Sequence, residues 1–315
     1  MAKSLVTGGA GFIGSHIVDA LLERGDQVVV LDNLSTGNRD NLPLDHPKLT
    51  FVEGSVTDPG AVSAAVWGVD TVFHQAALAS VPLSVERPLD THLHCATGTL
   101  NVLNEARKCG VRRVVYAASS SAYGDLPGLA KRETDLPAPL SPYAVAKLTG
   151  EHYCQAFYHT YGLETVGLRY FNVFGPRQDP DSPYSAVIPI FITLLLSGRP
   201  PVIFGDGQQS RDFTFVQNIV RANLNAAAAP GVAGKSINVA NGKSTSLLVL
   251  IKLLNEMLGT DIAPEHQPPR AGDVRDSMAD NTLAQRLLGY EVEVDFEEGL
   301  RRSINYYQQM VAAAK

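Results

Sequence analysis

A tyrosine and a lysine four residues apart, Tyr143 and Lys147, are the side chains whose spacing offers the clearest chemistry. A free phenol titrates near pH of about 10, so it is a poor base at neutral pH unless a nearby cation stabilises the phenolate. Lys147 is placed to be that cation, because residues at i and i+4 share one helix face and Tyr143-Ala144-Val145-Ala146-Lys147 reads as helix. A chain with 11 Tyr and 26 Lys or Arg can produce this spacing by chance, so its surroundings must carry the case.

The first of those surroundings lies far upstream. Thr7-Gly8-Gly9-Ala10-Gly11-Phe12-Ile13-Gly14 follows a strand-like run and precedes an amphipathic helix, the context that a dinucleotide fingerprint requires. Gly8 and Gly11 would let backbone N–H groups approach a pyrophosphate at the helix N-terminus, where the partial positive charge favours an anion, and Gly14 would allow close packing. Asp32 ends the second strand-like run, where an acidic side chain accepts hydrogen bonds from both adenosine ribose hydroxyls and repels the extra phosphate of NADP. The loop and the acid together point to NAD, with Arg39 as the one nearby residue that would soften the preference.

Elements must bring these sites together. Short β-branched runs at Ser4 to Thr7, Gln27 to Leu31, Leu49 to Val52, Thr71 to Phe73, Arg113 to Ala117 and Thr165 to Leu168 alternate with helical patterns near 12–24, 59–66, 89–108 and 142–161. The alternation predicts an α/β fold with a doubly wound parallel sheet, the Rossmann layout, over residues 1–170. After Tyr170 the prolines crowd, which predicts a smaller mixed α/β C-terminal domain for the substrate over 171–315. Phe213 to Val216 and the alanine-rich stretch near 217–229 are candidates to return to the first sheet, so that 211–229 would belong with it. Leu247 to Leu258 and Phe296 to Tyr307 read as late helices.

Composition excludes several classes. The formal charge of −6 and the lack of Lys/Arg clusters disfavour nucleic acid as a partner. Cys95, Cys109 and Cys154 are odd in number and without a C-x-x-C pair, so neither a disulfide framework nor a metal site is expected, which fits a reducing cytoplasm. The strand-like start leaves no room for a signal peptide before the glycine loop, and the longest apolar run, Val187 to Leu196, is about half of a bilayer span. No membrane association is expected. The eight histidines, His74 included, show no ligand spacing and are read as structural.

Gly8, Gly11 and Gly14, Ser119 near the fifth strand, Tyr143-x-x-x-Lys147 and Asn172 together resemble the extended short-chain dehydrogenase/reductase family, and within it the UDP-hexose 4-epimerases. The strings Tyr116-Ala117-Ala118-Ser119-Ser120-Ser121 and Ser141-Pro142-Tyr143 are specific to nucleotide-sugar members. The resemblance implies that Ser119, Tyr143 and Lys147 act as one catalytic unit. Tyr143 would take the proton of the sugar 4-hydroxyl while the C4 hydride passes to bound NAD, with Lys147 holding the nicotinamide ribose and depressing the Tyr143 pKa. It assigns to the cofactor, besides the glycines, Tyr143 and Lys147, the residues Phe12, Ile13, Asp32, Asn33, Ser35, Gly37, Ser55, Val56, Gln75, Ala76 and Ala77.

For the sugar nucleotide, the resemblance implies contacts from Ser80, Ser119, Ser120, Ser121, Tyr143, Asn172, Gln178 and Ala186. It implies a diphosphate clamp by Arg211 and Arg270, uridine ribose binding by Asp273, and Ser277 at the sugar C2 pocket. Related dehydratases and decarboxylases carry acids just after the catalytic hydroxyl, where this chain has Ser120 and Ser121, so elimination and decarboxylation are disfavoured. The small Ser277, with Ser120, Gln178 and Ala186, matches members that accept an N-acetyl group. That favours UDP-GlcNAc/UDP-GalNAc interconversion, with UDP-Glc/UDP-Gal weaker. The rivals are a UDP-uronate 4-epimerase and a non-catalytic NAD-binding scaffold. A homodimer through the Tyr143 helix and the helix near 89–108 is expected, burying Val145 and Leu148. Two positions depart from the pattern: Cys95 stands where many relatives have asparagine, and Ser55 where aspartate is common.

Overall fold

Residues 2–128, 130–180, 186–269 and 275–313 are described in the computed structural model of the chain. Seven strands form its main sheet: β1 (Lys3–Thr7), β2 (Gln27–Asp32), β3 (Leu49–Glu53), β4 (Thr71–His74), β5 (Arg113–Ser119), β6 (Glu164–Tyr170) and β7 (Lys235–Val239). They lie in the order β7-β6-β5-β4-β1-β2-β3, and every pairing is parallel. The order reverses between β1 and β4, which opens a crevice beyond the strands' carboxyl ends. β1 and β4 are in register there, Thr7 opposite His74.

The sheet is covered on both sides, which is why its strands read as apolar runs rather than alternating ones. On one face α1 (Phe12–Glu23) buries Ile17, Val18 and Leu21 beside Val6 and Val30, together with Ile219, Ala222 and Ala226 of a later helix. On the other face α2 (Pro59–Val66), α3 (Gly98–Lys108) and α4 (Pro142–Tyr161) pack Val62, Val102, Leu103 and Phe157 against Leu5, Val72 and Val114. Ser141 caps α4 by accepting from the Ala144 N–H at 3.2 Å, Pro142 occupies its first turn, and Gly162 ends it in the left-handed conformation with φ +72°.

The helix expected near 89–108 is interrupted. Pro88–His92 is α-helical, Leu93–Thr97 forms a π turn, and α3 follows. The π turn widens the backbone so that Cys95 and Ala96 pack with Ala146, Ala77 and Tyr143. Sequence periodicity does not register a single inserted residue.

The remaining elements are smaller. α5 (Val187–Leu196), α7 (Leu247–Leu258) and α8 (Phe296–Ala313) enclose a separate core in which Phe174 meets Phe213, Phe215 and Phe296 at centroid distances of 6.5, 5.6 and 5.6 Å. Three two-stranded ladders tie this part together: Val173–Phe174 with Thr214–Phe215, Val202–Phe204 with Glu265–Gln267, and Ser210–Arg211 with Thr245–Ser246. Phe213 to Val216 therefore does not return to the main sheet as a strand. Its residues pair with Val173–Phe174 instead, because Phe213 and Phe215 belong to the second core. The alanine-rich stretch does return as helix α6 (Val216–Ala228), covering β5 and β6, and the chain then adds β7 at the sheet edge.

Candidate active site

The crevice beyond β1 and β4 contains a cavity of about 470 Å³. Gly8, Gly11, Phe12, Ile13, Gly14, Asp32, Asn33, Ser35, Ser55, Val56, Gln75, Ala76, Ala77, Ser80, Tyr143 and Lys147 all line it. Residues from six strand ends and a long helix thus converge on one space.

The glycine loop is built so closely that side chains do not fit. Gly8 has φ +68°, and a Cβ there would meet the Ala76 nitrogen at 2.7 Å; a Cβ on Gly14 would lie 2.1 Å from the Gly8 carbonyl oxygen. The same closeness lets a ligand approach backbone rather than side chain, so the cradle fits a dinucleotide. Asp32 is buried, and its carboxylate accepts from the Ala10 N–H at 2.9 Å and the Leu34 N–H at 2.8 Å. Each carboxylate oxygen keeps a further lone pair for a ribose hydroxyl. Gly37 does not line the cavity; its Cα approaches the carboxylate so closely that a Cβ would sit 3.0 Å from Asp32 Oδ1. Arg39 is engaged by Glu53 and lies over the Phe51 ring at 5.1 Å, so its charge is already shared.

The chemical wall comes from α4 and β5. Tyr143, Lys147 and Glu151 follow at intervals of four along one helix face, and Glu151 holds β6 through a buried bidentate pair with Arg169 (2.7 and 3.0 Å). Gly150 allows the helix to close on the sheet, since a Cβ there would lie 2.2 Å from the Tyr116 hydroxyl. That hydroxyl donates to the Lys147 carbonyl at 3.1 Å. The buried Lys147 ammonium donates to the Ala117 carbonyl at 2.9 Å and lies 5.2 Å from the Tyr116 ring centre. Burial pulls its pKa below the usual lysine value.

Tyr143 lies one turn before Lys147 on the same helix. Desolvation pushes its phenol well above the ordinary value, the neighbouring Cys95 adds to this, and a hydrogen bond with Ser119 acts in the opposite direction. Ser119 ends β5, and its Oγ also accepts from the Ser121 N–H at 3.2 Å and the Ser121 hydroxyl at 2.8 Å. Behind the wall, His74 bridges Thr7 Oγ1 (2.7 Å) and Thr99 Oγ1 (2.9 Å) and is held neutral, its pKa lowered to about 3 by burial and by Lys147.

Of the residues expected on the sugar side, Ser80 and Tyr143 line this cavity, whereas Ser119, Ser120, Ser121, Asn172, Gln178, Ala186, Arg211 and Ser277 do not. Asn172 is exposed, and its carbonyl accepts from the Thr214 N–H at 3.0 Å. Gln178 donates to the Val173 carbonyl at 3.2 Å, and Ala186 immediately precedes α5. The structure brings Arg211 and Ser277 to adjoining backbones, where the Ser277 N–H donates to the Ser210 carbonyl at 3.2 Å. Arg211 donates to the carbonyls of Ser210 and Arg275 at 2.9 and 3.1 Å. Arg270 and Asp273 lie outside the described residues. Sequence reasoning missed Tyr170, His94, Asn41 and Arg177, which also line the cavity. Tyr170 lies two residues before Asn172, whereas nothing in local sequence points Arg177 toward the glycine loop.

A reversed parallel sheet, a glycine cradle and a Ser-Tyr-Lys wall define a dinucleotide-binding protein of the extended short-chain dehydrogenase/reductase class. The chain belongs to the NAD dependent epimerase/dehydratase family, whose profile matches residues 4–240. It is 39% identical over 311 residues to the UDP-glucose 4-epimerase of Mycolicibacterium smegmatis, covering 97% of this chain and 98% of that one. It is similar in structure to a UDP-glucose 4-epimerase of Thermotoga maritima, solved with UDP-glucose, with TM-score 0.94, 40% identity and coverage of 98% and 99%. The same figures apply to a UDP-N-acetylglucosamine 4-epimerase of Methanobrevibacter ruminantium, solved with UDP-N-acetylmuramic acid. Among the described residues no group of side chains could hold a metal ion, and no helix is long and apolar enough to cross a membrane.

Proposed function

We propose that the chain is a UDP-hexose 4-epimerase that interconverts UDP-GlcNAc and UDP-GalNAc, with UDP-Glc and UDP-Gal as a weaker pair. The observation that carries this reading is Tyr143, followed one helical turn later by Lys147, on the wall of the cleft that also contains the glycine cradle. NAD, when bound, supplies the hydride acceptor at C4 and a positive charge that favours the phenolate. Tyr143 removes the proton of the sugar 4-hydroxyl, Ser119 holds the same oxygen, and Lys147 fixes the ribose. The pocket would let the 4-keto sugar turn over and present its other face, and Tyr143 would give the proton back to the same oxygen. Ser120 and Ser121 offer no acid for elimination, so the cycle closes on the epimer.

The acetamido preference is supported by the small side chains around Ser277, whose carbonyl accepts from the Ser244 hydroxyl at 3.3 Å and whose N–H meets Ser210. A homodimer is supported by the exposed Val81, Val85, Leu89 and Leu93 on the short segments that pack beside α4, whose Val145 is also exposed. Leu148 is half-buried within α4 itself.

The purified protein, incubated without added NAD, is tested with UDP-GlcNAc, UDP-Glc and UDP-GlcA while proton NMR follows the C4 epimers. Faster conversion of UDP-GlcNAc is expected, and Ser277→Tyr should suppress it while sparing UDP-Glc. Conversion of UDP-GlcA alone would move the assignment to a uronate epimerase, and no conversion of any would leave a scaffold.

A further inference from the structure

We infer that Arg177 is a further cofactor-binding residue that closes on the pyrophosphate of the dinucleotide. This concerns the cofactor and holds whichever sugar is turned over. A pyrophosphate brings two negative charges, and a helix N-terminus offers about half a positive charge. Among the described residues, the Lys and Arg side chains lining the cavity are Lys147 and Arg177. Lys147 is committed to the Ala117 carbonyl and the Tyr116 ring. Arg177 lines the same cavity as Gly11, Phe12 and Ile13, and a guanidinium fork matches phosphate oxygens.

Its position is fixed by contacts with the helix that carries the cradle. His16 follows Phe12 by one turn, about 6 Å along the axis, and its Nε2 bonds the Pro176 carbonyl at 3.0 Å. Residue 177 is therefore held within a turn or so of the α1 N-terminus. Arg177 also has φ +67°, a left-handed conformation that non-glycine residues rarely adopt. Such strain persists where the surroundings over-determine it. Here the Tyr307 hydroxyl, within reach of the Gln178 carbonyl at 2.6 Å and the Gly175 carbonyl at 3.2 Å, grips the turn from the far side.

The guanidinium is not fully used. Its Nη1 is enclosed by protein at ion-pair distance, 2.8 Å, from Asp19 Oδ2, yet makes no hydrogen bond. Asp179 lines the cavity close by, so Asp19 and Asp179 are the carboxylates that compete with a pyrophosphate for this cation. The bland alternative is that Arg177 is only a strut tying its loop to Asp19.

Three variants separate the two. The proteins are purified, their bound NAD is released with acid and measured, and affinities for NAD, ADP-ribose and adenosine are obtained by titration calorimetry. Arg177→Met should carry less NAD and bind NAD and ADP-ribose about ten- to a hundredfold more weakly, with adenosine unchanged. Arg177→Lys, which keeps a point charge and supplies a second folded variant, should fall between it and the parent. Asp19→Asn should retain NAD at least as well as the parent. NAD affinity in Arg177→Met within about twofold of the parent overturns the inference. So does an equal loss in Asp19→Asn, or a parallel loss of adenosine binding.

Discussion

Tyr143 is placed where burial opposes the chemistry asked of it. Its phenol is pushed up by desolvation, and the Ser119 hydrogen bond is the internal contact that offsets this. The neutral His74 behind Lys147 adds no second positive charge that would disfavour the ammonium. Tyr143→Phe keeps the ring in its packing with Cys95 and Ala146 and removes only the hydroxyl. The variant should fold, retain NAD and lose at least about a hundredfold in turnover, the scale of a general-base contribution, as measured by the NMR assay. Turnover near that of the parent would remove Tyr143 from the mechanism.

At the scale of elements, Asp212 joins three segments. Its carboxylate is completely buried and accepts from the N–H groups of Asn241 (2.9 Å), Gly242 (3.0 Å) and Ala279 (3.1 Å), so the exit of β7 and the segment with Ser277 meet beside Arg211. Burial raises its pKa from 3.8 to about 7, the three donors pulling the other way. The folded state then holds this proton more tightly than the unfolded chain. The associated stability is complete below the unfolded value, is lost as pH rises toward about 7, and changes little above that. Against Asp212→Asn, which cannot titrate, the parent should lose melting temperature between pH 5 and pH of about 7.5. Identical pH slopes for the two proteins would refute a titrating Asp212.

At the scale of the whole molecule, exposed apolar side chains gather beside α4. Leu89 is 83% exposed, Val85 66% and Val145 51%, on neighbouring helices of one side. Both short helices, those of Val85 and Leu89, pack on α4, so a second copy docking on this side would cover these side chains together. Sedimentation at micromolar concentration should show a dimer, and Leu89→Asp with Val85→Asp should shift it to monomer. A monomeric parent would refute the dimer.

The sequence by itself determined six of the seven parallel strands, the glycine cradle, Asp32 and the Tyr143/Lys147 face of one helix. Each of these rests on local physics: β-branched runs, glycines before a helix, an acid at a strand end and an i, i+4 repeat. The missing strand, β7, is five residues long and is placed by pairing with β6 rather than by its own pattern. Only the tertiary structure decided that the π turn sets Cys95 against Tyr143, that Lys147 is held by Ala117, and that Arg177 follows a Pro176 bonded to His16 across 160 residues and so lines the same cavity as the glycine loop. Those outcomes depend on desolvation and on contacts between distant segments, which no local window of residues contains.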